Sequence, residues 1–156
     1  MKGLRGGVKH SLWLSVGTAG LLIACAAGTA SAEPVVLAGS QEVPPVTTQA
    51  TGIADISIIL SKCPPATAGL NCPTVIGTVS TAGVMATAAH IHQAASGQNG
   101  PVVVPLAKRP NSEIWDVPPA TTVSQDVYEA WWNGNTYINV HSAANPGGEI
   151  RAQLRR

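Results

Sequence analysis

Apolar and polar positions alternate through residues 52–60. Ala54, Ile56, Ile58 and Leu60 share one side, and Ile53, Asp55, Ser57 and Ile59 share the other. A period of two puts successive side chains on opposite faces, so this stretch is expected to be a strand with one fully apolar face. Shorter runs of the same type cover 35–37, 74–80, 83–92, 101–106, 113–117, 136–141 and 149–154, with Pro, Gly and Asn between them. Those residues favour turns because proline presets φ, glycine accepts positive φ, and asparagine bonds its own backbone. The pattern predicts an all-β domain, an antiparallel sandwich or barrel of about seven to eight strands. One segment departs from it. Across 121–132, Val123, Val127 and Ala130 or Trp131 recur at helical spacing, Thr122 stands as an N-cap with Gln125 three residues on, and Asn133-Gly134 supplies a stop. That predicts one short helix. The chain has no Phe, so its core is expected to be Val, Ile, Leu and Ala with Trp115, Trp131, Trp132 and Tyr137 as the large members. Trp131-Trp132 is read as one side chain under the helix and one at an edge, in preference to a platform for a sugar ring.

The beginning of the chain has another character. Lys2, Arg5 and Lys9 precede an apolar run over 12–27, and Ala30-Ser31-Ala32 follows. A charged start, a short apolar stretch and an A-x-A site mark a secretory signal peptide over 1–32. The run is too short and too rich in Gly, Ser and Ala for a transmembrane helix, which needs about 20 apolar residues. An alternative cleavage lies before Cys25, where Leu22-Ile23-Ala24-Cys25 is similar to a lipoprotein acceptor site. The expected location is therefore periplasmic or secreted, or lipid-anchored to the envelope if Cys25 is modified. Residues 33–156 form one domain's worth of chain with no transmembrane helix.

Loss of the leader changes the charge. Six basic and eight acidic side chains remain, a net charge of −2, and no basic run is longer than the pairs Lys108-Arg109 and Arg155-Arg156. Nucleic acid is not an expected partner, because phosphate binding needs clustered Lys and Arg. Cys63 and Cys72 remain as an even pair flanking a turn-rich segment. In an oxidising compartment they are expected to form a disulfide, in preference to a two-thiolate metal site that would lack its remaining ligands.

The candidate chemistry is histidine chemistry. His90 and His92 are two apart on a predicted strand and share a face, and His141 shares a face with Tyr137 and Asn139 on another strand. If the two faces meet, three imidazoles converge on a site suited to Cu or Zn, with Glu149 as a further ligand or a hydrogen-bonding partner. The competing reading gives the histidines a structural role in bonds to loop carbonyls or to Glu149. The H-x-H pair with a distant third His is similar in pattern to copper–zinc superoxide dismutase, which raises dismutase-like redox chemistry as an alternative function. Neither that enzyme's bridging histidine nor its zinc-site aspartate has a counterpart here. Other catalysis is weakly supported. There is no G-x-S-x-G turn, no spacing that sets Glu42 and Glu149 as a glycosidase pair, and the glycines of 97–100 lead into a strand. Arg151 is expected to pair with Glu42 or Asp55.

Three stretches carry a resemblance: Leu37-Ala38-Gly39-Ser40-Gln41-Glu42-Val43-Pro44-Pro45-Val46, then residues 89–103 from Ala89-His90-Ile91-His92 to Gly100-Pro101-Val102-Val103, then Tyr137-Ile138-Asn139-Val140-His141-Ser142 with Asn145-Pro146-Gly147-Gly148-Glu149-Ile150-Arg151. In this order they resemble the chordin-type (CHRD) domain over essentially all of the chain after the leader. The resemblance implies an extracytoplasmic β-sandwich-like domain and no specific activity. The expected function is an exported binding or structural module whose partner is an unidentified extracytoplasmic protein or, through the histidines, a metal ion. The Cys63–Cys72 segment departs from the family pattern as a local decoration.

Overall fold

The computed structural model describes residues 32–63 and 70–156. The signal peptide expected over 1–32 lies, except for Ala32, outside the described residues, Cys25 included. Nine strands follow in chain order: β1 (Val35–Ala38), β2 (Thr51–Lys62), β3 (Asn71–Ala82), β4 (Ala86–Gln93), β5 (Val102–Pro105), β6 (Ala107–Lys108), β7 (Ile114–Asp116), β8 (Thr136–Ser142) and β9 (Ile150–Gln153). A short 3-10 turn spans Gly39–Gln41, and one helix, α1, spans Gln125–Trp132. All the strand pairs are antiparallel, in a single sheet of order β5-β4-β8-β9-β1-β2-β3-β7-β6. Its two ends, β5 and β6, are joined by one residue, Leu106, whose N–H donates to the Ala89 carbonyl on β4 at 2.9 Å. The sheet thus nearly closes into a barrel, leaving little free edge.

Alternation sets the core. Leu37, Ala54, Ile56, Val79, Ile91, Ile138, Val140 and Ile150 point inward and are buried together with Trp115 and Trp131. The apolar face expected for 52–60 is buried through Ile58 and then stops, since Leu60 is 53% exposed. There the β2–β3 hairpin runs on past the core to the Cys63–Cys72 disulfide. That bond closes a loop with a sequence separation of 9. Closing so short a loop restricts the unfolded chain by about 2–3 kcal/mol. Replacing both cysteines by serine is expected to lower unfolding free energy by that amount in urea melts and to leave the barrel core intact.

The helix begins later than the sequence suggests. Ser124 is its N-cap, accepting from the Val127 N–H at 3.3 Å, and Thr122 instead forms an isolated bridge with Thr74. The cause is strand pairing: Val75 N–H donates to Thr121 O at 2.8 Å and Val123 N–H to Pro73 O at 3.0 Å. Residues 121–123 therefore extend the β3 edge before the helix can start. The stop is as expected, with Gly134 at φ 70°. Trp131 is buried, whereas Trp132 is 45% exposed beneath the Arg156 guanidinium at 3.7 Å.

Candidate functional site

On the outer face of β4, β8 and β9 the same alternation produces a polar layer. Ala89 and Ile91 face the core, so His90 and His92 face outward, and Ile138 and Val140 likewise leave Tyr137, Asn139 and His141 outside. The two histidine-bearing strands are neighbours in one sheet, with His92 opposite Tyr137, His90 opposite Asn139 and Ala88 opposite His141. His90 and His141 are therefore diagonal neighbours. His90 Nδ1 lies 3.0 Å from His141 Nε2, and one nitrogen of each of His90, His92 and His141 lies within 4.8 Å of the others.

Backbone carbonyls orient two of the rings. His92 Nδ1 donates to Gly100 O at 2.9 Å, and His141 Nδ1 donates to Pro146 O at 2.9 Å. A carbonyl only accepts, so each Nδ1 carries the hydrogen and each Nε2 presents a lone pair. Without a metal, His90 Nδ1 donates to His141 Nε2, while His92 Nε2 is buried with no protein partner. His92 is 8% exposed; His90 and His141 are half-buried. Burial, then the neighbouring His141 and His92, pushes the His90 pKa below its ordinary value. Burial also lowers that of His141, outweighing the opposing bond to Pro146. Both rings are thus uncharged at neutral pH, the state a metal ligand requires.

His92 is held further by its neighbours. Its ring stacks on Tyr137 at 4.7 Å with 9° between planes, and the Tyr137 hydroxyl accepts from the Gly100 N–H at 3.2 Å. Gly100 thereby links both side chains. Arg151 is expected from sequence to pair with Glu42 or Asp55, but it does neither. The ion pairs among the described residues are Lys108–Glu113 and Arg109–Asp116. The Arg151 guanidinium lies 3.4 Å over the Tyr137 ring and donates to Asn99 Oδ1 at 2.9 Å and Gln98 O at 2.7 Å. Asp55 projects from the exposed face of β2, out of its reach.

Glu149 is placed apart from the histidine group. Its carboxylate accepts from Thr48 Oγ1 at 2.7 Å, and hydrogen bonds from Ser142 and Thr48 hold its pKa below the usual carboxylate range. Glu42 is the opposite case. It is 5% exposed, its Oε1 has no partner, and burial pushes its pKa up to about 7 against the opposing pull of Arg151. A raised carboxyl pKa contributes stability at pH below the unfolded value, and that stability is lost as pH rises toward 7. Glu42→Gln is therefore expected to be more stable than the native protein by about 2 kcal/mol near pH 8 and close to equal to it near pH 4. Urea melts at the two pH values check this.

A family model for the CHRD domain matches residues 34–154. The chain belongs to the CHRD family. No curated protein and no solved structure matches it. CHRD domains are extracellular binding or structural modules, and the disulfide agrees with that setting. Among the described residues, no helix is long and apolar enough to cross a membrane. The stretches that carry the CHRD resemblance are the ones that build this polar layer. The first brings Glu42, the second brings His90, His92, Asn99 and Gly100, and the third brings Tyr137, His141, Pro146 and Arg151. Tyr137 and the two carbonyls were not singled out from sequence as site residues. For Tyr137 a signal existed, since it shares the outward parity of Asn139 and His141; backbone carbonyls leave none.

Proposed function

We propose that this protein is an exported CHRD module that binds a transition-metal ion, Cu or Zn, through His90, His92 and His141. The observation that carries this reading is the convergence of three imidazole nitrogens within 4.8 Å of one another while two of the rings use their other nitrogen on fixed carbonyls. Such outer bonds fix tautomer and ring direction for a metal-ligating histidine. Two nitrogens bound to one ion at about 2.0–2.1 Å stand roughly 3.0–3.4 Å apart. The 3.0 Å between His90 Nδ1 and His141 Nε2 is of that size, so small ring movements admit an ion once His90 shifts its hydrogen to Nε2. Imidazole donors suit Cu and Zn, and three ligands leave a position open to water or a partner's side chain.

Export follows from the leader over 1–32, with release after Ala32 favoured over lipidation at Cys25. The intact mass of the processed protein separates the two. For the metal, untagged mature protein is titrated with Cu(II) and with Zn(II), and bound metal is counted by mass spectrometry after gel filtration. One ion per chain supports the reading. No retained ion after both challenges would leave the histidines as a structural hydrogen-bond network on the outer sheet.

A further inference from the structure

The reading of the three histidines as a copper site raises the question of which charge state of copper it prefers, and the inference drawn here rests on that reading. The nitrogen donors are neutral, and no carboxylate belongs to the group. Glu149 is committed to Thr48, and Glu42 lies on the side of Arg151. The centre therefore carries the full charge of its ion in a partly dehydrated place, which disfavours the more highly charged form.

A fixed cation adds to this. Strand order puts β9 on one side of β8 and β4 on the other, so Tyr137 stands between Arg151 and His92. The guanidinium is 3.4 Å from the Tyr137 ring centre on one side, and the His92 ring is 4.7 Å from it on the other. Arg151 is 2% exposed and has no carboxylate within ion-pair distance. Its charge is therefore poorly screened by solvent and acts along the stack toward the metal ligands. We propose that the Arg151–Tyr137–His92 column makes the site favour Cu(I) over Cu(II), with Arg151 as the residue that sets this preference. At this range, and at the effective dielectric of protein interiors, one full charge changes the ratio of Cu(I) to Cu(II) affinity by about tenfold. For a one-electron couple, tenfold is about 59 mV.

The test is spectroelectrochemical titration of the copper-loaded protein near pH 8, with small-molecule one-electron mediators supplying the electron that reduces Cu(II) to Cu(I). Arg151→Gln is expected to lower the potential by about 59 mV. Arg151→Lys, which keeps the charge, stays near the native value. Glu42→Gln shifts the potential the other way, because the native carboxylate is ionised at that pH and partly offsets Arg151. Opposite signs separate a charge effect from general loosening of the site. Shifts of the same sign in Arg151→Gln and Glu42→Gln, or no shift beyond about 20 mV in either, overturn the proposal. If Arg151→Gln does not fold, the sign of the Glu42→Gln shift decides. Failure of the native protein to retain copper at all overturns the histidine site itself, and this inference with it.

Discussion

Replacing His92 by alanine is expected to lower Cu(II) and Zn(II) affinity at least about a hundredfold, a larger loss than removing an outer partner of a metal ligand brings. The reasoning runs through what remains. Two donors are left, and in the metal-free protein these two bond to each other at 3.0 Å. An ion must then break that bond and also complete its coordination from water. No other histidine can substitute within the domain, because residues 33–156 hold only His90, His92 and His141. Chelator competition measures the affinity, and circular dichroism of the metal-free variant checks the fold. A structural role for the ring predicts a lower melting temperature in His92→Ala with no metal effect to lose. The pH dependence supplies a second readout from the same titration. His90 and His141 have lowered pKa values, so at these two rings protons compete with metal only below the ordinary imidazole range. Affinity is expected to fall as the pH drops into and below the imidazole range, because bound metal requires deprotonated nitrogen.

Much of this site is written in alternation. The period of two that buries Ile138 and Val140 turns Tyr137, Asn139 and His141 outward, and it does the same for His90 and His92 around Ile91. Faces could thus be assigned residue by residue. What alternation does not contain is which strands are neighbours. β4 lies between β5 and β8, and β9 bridges to β1, an order fixed by long-range packing of the barrel. The sequence leaves open whether the two histidine-bearing faces meet; β4 and β8 are adjacent in one sheet, so those faces lie side by side. β6, a two-residue strand separated from β5 by Leu106, is too short to give a periodic signal, yet it carries the closure of the barrel.

The charged residues were less legible for a related reason. Arg151 sits between Ile150 and Ala152 with the parity of a surface residue, and nothing local shows that the loops carrying Gln98 and Asn99 fold over it. An expected ion pair became a stack on Tyr137, which a guanidinium can make as readily as a salt bridge. Glu149 meets Thr48 across 101 positions of sequence, and that contact keeps its carboxylate occupied away from the histidines. In each case the residue type was informative and the partner was not, because the partner arrives through tertiary structure.

Gly100 is where fold and site depend on the same atom positions, and Gly100→Ala is expected to damage both. A Cβ there would come 2.0 Å from the Gln93 carbonyl oxygen and 3.0 Å from the Ala94 Cβ. The oxygen belongs to backbone at the end of β4, and the Gln93 N–H is itself bonded to Pro101 O at 3.1 Å, so it cannot move aside without opening that closure. Overpacking of this kind costs about 2–3 kcal/mol, to be read from urea unfolding of the metal-free protein. The shift also displaces the carbonyl that sets the His92 tautomer and the N–H that holds Tyr137. Metal affinity of the folded fraction should therefore fall about 10–100-fold, the usual effect of losing an outer partner of a metal-bound histidine. Gly97→Ala is the control. Its Cβ would meet nothing within 4 Å, but its φ of 76° is costly for alanine. It should lose roughly 1 kcal/mol of stability and keep native metal affinity. If Gly100→Ala retains native affinity as well, the Gly100 carbonyl does not align His92, and the preset geometry of that ligand must come from the Tyr137 stack alone.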